Sequence, residues 1–153
     1  MYDQTGVWNE YAPMLKLAPS ATSLVVCSTC RYAENALTDD GGRHGGMLFA
    51  DALAAVLGTH PCRGLIEIQS MPCLFACSFH CAVYVRSAGR LGYILGRFTP
   101  SRRDARALLD YVAEYLSSAD GVVPYASWPD GVKGHFLVRV PPEGLIWDPI
   151  TPT

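Results

Sequence analysis

A chain of 153 residues, half of them hydrophobic, has the length of one domain and enough apolar side chains to bury a core, which excludes bulk disorder. Its 12 Lys and Arg stand against 14 Asp and Glu, so a broad electrostatic surface for nucleic acid or anionic lipid is excluded. No apolar run is long enough to span a bilayer, and "MYDQTGVWNEYAPM" has Asp3 and Glu10 where an export signal needs basic and then apolar residues; a cytoplasmic chain is expected.

Residues 1–21 read as a poorly patterned N-terminal arm with Pro13 and Pro19. Leu24, Val25 and Val26 form a short run rich in β-branched residues, which predicts a buried strand ending at Cys27. "RYAENALTDDGGRHGG" has the composition of a long loop. "MLFADALAAVL" places Leu53, Ala54 and Leu57 at helical spacing, with Gly58 as the stop. "LIEIQS" predicts a second strand, and "AVYVR" and "LGYILGRF" flank "SAG" as a hairpin. The clearest helix follows in "TPSRRDARALLDYVAEYLSS". Ser101 can cap it, Asp104 lies at capping-box spacing, and Leu108, Leu109, Val112, Tyr115 and Leu116 make the apolar stripe. Residues 120–153 hold six prolines and read as an irregular extension packed on the same domain, within which "HFLVRV" alternates like a strand.

A strand–helix–strand unit followed by a hairpin and a helix predicts an α/β fold. The expectation is a thioredoxin-like domain over residues 22–119, with a small mixed four-stranded sheet and two main helices.

Five of the six cysteines fall in two tight groups, Cys27 with Cys30 and Cys73 with Cys77 and Cys81. In a reducing compartment such grouping points to metal or thiol chemistry rather than to disulfides. If the first two strands are parallel neighbours joined by a right-handed crossover, their C-terminal ends share one edge of the sheet. The pairs Cys27/Cys30 and Cys73/Cys77 would then face each other. Each spacing suits bidentate capture of an ion, and four soft thiolates suit zinc, Cu(I) or an iron–sulfur centre, not calcium or magnesium. The competing use of C-x-x-C is dithiol–disulfide exchange by Cys27 and Cys30. That use wants a helix opening directly on the pair to lower the nucleophile's pKa, and "RYAENALTDDGG" offers no more than a turn or two.

"VVCSTCRYAE", "GGMLFADALAAVL", "MPCLFACSFHCAVYV", "GYILGRFTP" and "DGVVPYASWP…RVPP" resemble an uncharacterised bacterial family described as predicted metal-binding, thioredoxin-like [2Fe–2S] proteins, from about residue 22 to 142. Genes of that family often lie near those for cobalamin biosynthesis and cobalt handling. The C-x-x-x-C before an apolar strand is more distantly similar to thioredoxin-like [2Fe–2S] ferredoxins. The resemblance implies that Cys27 is the first ligand and that Cys73 and Cys77 are the pair after the second strand. Cys30 is the near candidate for the remaining position, at closer spacing than those ferredoxins use, and Cys81 is the reserve. Cys62 lies outside both groups and reads as an ordinary thiol.

These readings converge on a [2Fe–2S] protein that transfers electrons to a redox partner protein, with cobalamin-biosynthesis or cobalt-handling enzymes as the implied context and a homodimer left open. The alternatives are a zinc- or cobalt-binding accessory protein and a thiol–disulfide oxidoreductase. No glycine-rich dinucleotide fingerprint follows a strand, and neither G-x-S-x-G nor H-E-x-x-H is present, so a one-electron carrier is expected over a catalyst. His44 and His80 read as solvated loop residues, and Trp128 and Trp147 as lids on the core. Arg97, Arg102, Arg103 and Arg106 read as a solvated face, with Arg106 paired to Asp110.

Overall fold

The computed structural model describes residue 15 and residues 21–152; most of the expected N-terminal arm therefore lies outside the described residues. Five strands form one sheet. They are β1 (Thr22–Cys27), β2 (Glu67–Met71), β3 (Val83–Ser87), β4 (Gly92–Leu95) and β5 (Phe136–Val140), in the order β2-β1-β3-β4-β5. β1 and β2 are parallel, whereas β3 runs antiparallel to both of its neighbours. Order and directions of the first four strands make the fold thioredoxin-like. Helix α1 (Gly45–Leu57) is the crossover from β1 to β2, and α2 (Arg102–Ser117) follows β4. No helix among the described residues is long and apolar enough to cross a membrane.

The sheet has five strands rather than the expected four. Residues 136–140 alternate as the sequence indicates, and they find the free edge of β4, with an irregularity at Ile94/Leu95. The extension thus contributes a structural strand. Beyond it the chain runs exposed, with Leu145, Ile146, Trp147 and Ile150 all in contact with solvent. Trp147 is therefore no lid. Trp128 packs against the core, its Nε1–H donating to the Val123 carbonyl at 2.9 Å.

The core lies between one sheet face and the two helices. Leu24 and Val26 of β1 are fully buried there with Phe49, Leu53, Leu108 and Val112. The buried face of α1 is Phe49, Leu53 and Val56, not the Leu53–Ala54–Leu57 spacing expected. In a helix apolar nearly all round, several stripes satisfy the 3.6-residue period, and the larger side chains take the sheet-facing one. Ser101 caps α2 as its spacing predicts, accepting from the Asp104 N–H at 3.2 Å. The Asp104 carboxylate turns to the Thr99 N–H instead of closing the box.

At the end of the molecule away from the C-terminal ends of β1 and β2, His60 joins the two helices. Its Nδ1 accepts from the Cys62 N–H at 3.1 Å, so the ring proton sits on Nε2 and is donated to Asp110 at 2.9 Å. Asp110 is thus paired with His60 and not with the expected Arg106. Arg97, Arg102, Arg103 and Arg106 are exposed.

Candidate metal centre

β1 ends at Cys27 and β2 at Met71, and because the strands are parallel these residues are register partners. Both thiol-bearing loops therefore leave the same edge of the sheet. They are stitched together at once. The Ser28 N–H and hydroxyl both reach the Met71 carbonyl, at 2.9 and 3.2 Å, and the Thr29 hydroxyl donates to the Pro72 carbonyl. Leu74, the residue after Cys73, packs against Cys27 and Cys30. The juxtaposition of the two groups follows directly from strand direction and the α1 crossover.

Cys27 and Cys30 are 1% and 2% exposed, beneath Leu74 and Ala76 and against Ala82. The Cys30 thiol donates to Cys27, which holds the Cys27 thiol well below its ordinary range; burial opposes this, and the Leu74 and Thr29 N–H groups reinforce it. Cys30 is correspondingly pushed far up, first by that bond and then by burial. Its sulfur accepts from the Ala82 N–H at 3.5 Å. Cys73 is half-buried and Cys77 exposed, with sulfurs 3.9 Å apart. Sharing a hydrogen bond with Cys73 raises the Cys77 thiol. The Phe75 N–H donates to the Cys73 sulfur at 3.2 Å. Cys81 is fully buried, its thiol 3.9 Å from the Arg31 carbonyl, and burial pushes it up to about 12.

Backbone N–H groups of Phe75 and Ala82 thus point at the Cys73 and Cys30 sulfurs. Two of the residues that shape this loop, Phe75 and Cys81, have positive φ, 58° and 53°. Non-glycine residues in this region carry local strain, which clusters at functional sites.

His44 and His80 depart from the solvated reading. Each has a buried Nδ1 without a hydrogen-bond partner among the described residues. His80 lies in the second thiol loop, and His44 precedes the α1 turn that packs on the first. Cys62 is buried at the other end of α1, its thiol near the Leu109 carbonyl, and takes no part in this rim.

Whether the rim fits a metal centre is a question of donor type and spacing. A zinc–sulfur bond of about 2.3 Å gives a tetrahedral sulfur–sulfur edge of about 3.8 Å. The Cys73–Cys77 separation matches that bite. Cys27 and Cys30 add two more soft donors at the same rim. Among the described residues, no three His, Cys, Asp or Glu side chains are arranged ready to hold an ion. Donor chemistry and the bite of one pair fit; the four sulfurs do not yet converge on one point.

A family model described as a protein of unknown function, DUF1636, matches residues 24–142. No curated protein matches the chain. Among solved structures, the chain is similar to a thioredoxin-like [2Fe–2S] ferredoxin from Aquifex aeolicus, at 16% identity and a TM-score of 0.49, covering 83% of this chain and 99% of that one.

Proposed function

The chain belongs to DUF1636, a family of proteins of unknown function, and from the geometry of its thiol rim we propose that it is a [2Fe–2S] electron carrier. The ligands in this reading are Cys27, Cys30, Cys73 and Cys77. One observation carries it: Cys27 and Met71 are register partners at the parallel ends of β1 and β2, and Ser28 and Thr29 bond to the Met71 and Pro72 carbonyls, so two thiol groups distant in sequence leave one rim. Bound there, such a centre supplies a one-electron couple. The chain's own contribution is electrostatic. N–H groups directed at the sulfurs lower the cost of added negative charge, and Leu74 and Ala76 keep water from the buried pair. Cys77, exposed, brings the site to the surface where a redox partner protein can dock. Service to cobalamin or cobalt chemistry is part of the proposal on the strength of the sequence resemblance alone.

A zinc- or cobalt-binding accessory role is the second reading, favoured by the 3.9 Å Cys73–Cys77 bite, which suits a single tetrahedral ion. Disulfide exchange by Cys27 and Cys30 fits less well. The pair is closed off by the second loop, and no helix begins between Cys30 and Gly45.

Anaerobic purification followed by iron, sulfide and zinc analysis tests the proposal. The expected protein is red-brown, holds iron and sulfide in equal amounts, bleaches with dithionite and gives an EPR signal when reduced. Colourless protein with stoichiometric zinc replaces the first reading by the second.

A further inference from the structure

The loop that carries Cys27 and Cys30 is gripped from two sides. On one side stands the first turn of α1. A Cβ on Gly46 would lie 1.7 Å from the Cys27 carbonyl oxygen, and one on Gly45 would lie 2.2 Å from that of Arg31. The Gly46 N–H donates to the Cys30 carbonyl at 3.3 Å. Glycine is needed here for close approach of two backbones, since both residues sit in ordinary helical conformation. On the other side stands Cys81, just ahead of β3. It is fully buried, held at φ 53°, and its thiol is 3.9 Å from the same Arg31 carbonyl. Helix end and strand start therefore close on the backbone from Cys27 to Arg31.

We propose that Gly45, Gly46 and Cys81 form a clasp that fixes where the Cys27 and Cys30 sulfurs sit, and that Cys81 is a positioning residue and not a ligand. The ligand half of this inference rests on the four-thiolate reading. The clasp itself does not, because it is made by the close backbone approach of Gly45 and Gly46 and by the Cys81 thiol, all within this chain.

Cobalt(II) titration of the metal-free protein separates the two roles through the sulfur-to-cobalt charge-transfer band, whose intensity grows with the number of thiolates bound. Cys81→Ser keeps a donor for the Arg31 carbonyl and is expected to saturate with the wild-type band. Cys81→Ala is expected to reach the same band with affinity weakened by about 10- to 100-fold, the usual effect of losing an outer-shell partner. A band lowered by about a quarter in both variants would make Cys81 one of four thiolate ligands and overturn its assignment. Gly46→Ala is expected to saturate at about half the wild-type band, with only Cys73 and Cys77 engaged. A full band at wild-type affinity overturns the part given to the glycine. Should Gly46→Ala not fold, the Cys81 pair reads the clasp.

Alkylation of the metal-free protein, followed by mass spectrometry, reads the clasp with no metal present. Cys27 and Cys30 are protected in the wild type and are expected to label faster in Cys81→Ala but not in Cys81→Ser. Equal labelling in all three overturns the clasp. Absence of any charge-transfer band from the wild type, with the labelling difference intact, ends the four-thiolate reading and leaves the clasp standing.

Discussion

The backbone N–H of Ser28, next to Cys27, donates to the Met71 carbonyl at 2.9 Å, a bond across 43 positions that joins the loops carrying the two thiol groups. The bond exists because β1 and β2 are parallel and end in register, so both loops begin at one rim. If this rim holds the metal, Cys27→Ser, Cys73→Ser and Cys77→Ser lose it on gel filtration. The loss in affinity should exceed the ~10- to 100-fold that outer-shell changes cost. Cys62→Ser, altered at the far end of α1, keeps wild-type metal content. Metal analysis of the four variants side by side checks this. Loss from Cys62→Ser with retention in the other three sinks the site.

The His60 bridge should behave as a structural tie with no bearing on the rim. His60→Ala removes the acceptor of the buried Cys62 N–H and the partner of Asp110. A buried donor left unsatisfied costs about 1–3 kcal/mol. Urea denaturation should show a loss of at least that size, while metal content per folded molecule is unchanged.

Much of this architecture is legible in the residue order, and the parts that are not share a cause. The run Leu24–Cys27 and the Ser101 cap announce themselves because strand burial and helix capping depend on a few adjacent residues. The parallel register of β1 and β2 follows from the crossover, and with it the meeting of Cys27 with the Cys73 loop. What sequence cannot supply is which atoms touch across elements. Gly45 and Gly46 belong to a glycine-rich stretch that composition marks as loop, yet both are the start of α1, pressed on the Cys27 and Arg31 carbonyls. The partner of Asp110 is His60, 50 residues away, where local spacing offered Arg106. The buried Nδ1 atoms of His44 and His80 likewise depend on how loops fold back, which no periodicity encodes.

Two buried tyrosines set an alkaline limit on stability. Burial raises Tyr115 to about 12, and raises Tyr111 still further, with neighbouring tyrosines adding to the shift of Tyr111. In the unfolded chain both phenols titrate near 10. Below that pH the tyrosines add no slope, and only the raised thiols, Cys81 and Cys30 among them, make stability fall above the ordinary thiol range of about 8.5. Above about pH 10 the unfolded chain releases phenol protons that the folded one retains, so the unfolded state binds fewer and stability falls as pH rises. The slope should approach about 1.4 kcal/mol per pH unit for each tyrosine. Urea denaturation at pH 9, 10 and 11 should show a decline that steepens above pH 10, and that steepening should be shallower in Tyr111→Phe. An equal slope in that variant would remove Tyr111 from the account.

The Tyr115 hydroxyl also donates to the Leu91 carbonyl at 2.6 Å, tying α2 to the start of β4. Tyr115→Phe leaves that buried carbonyl without this donor, so a loss of about 1–2 kcal/mol is expected. The same variant removes one of the two alkaline titrations, so it is less stable at pH 8 but loses less between pH 9 and 11. Opposite effects in the two ranges distinguish a lost hydrogen bond from general loosening.

Phe75 sits between Cys73 and Cys77 with its ring 94% exposed and its backbone at φ 58°. A bulky side chain in this region costs of order 1–3 kcal/mol, and an exposed ring recovers none of it by burial. Glycine adopts the conformation freely but loses about 0.5–1 kcal/mol more chain entropy on folding. Phe75→Gly is therefore expected to be as stable as the wild type or up to about 2 kcal/mol more stable. The Phe75 N–H bond to the Cys73 sulfur belongs to the backbone and should survive, so metal content should hold. Thermal unfolding and metal analysis of the one variant check both halves. A clear loss of stability would mean that the ring packs on something in the folded protein, and the strain at this position would then need another origin.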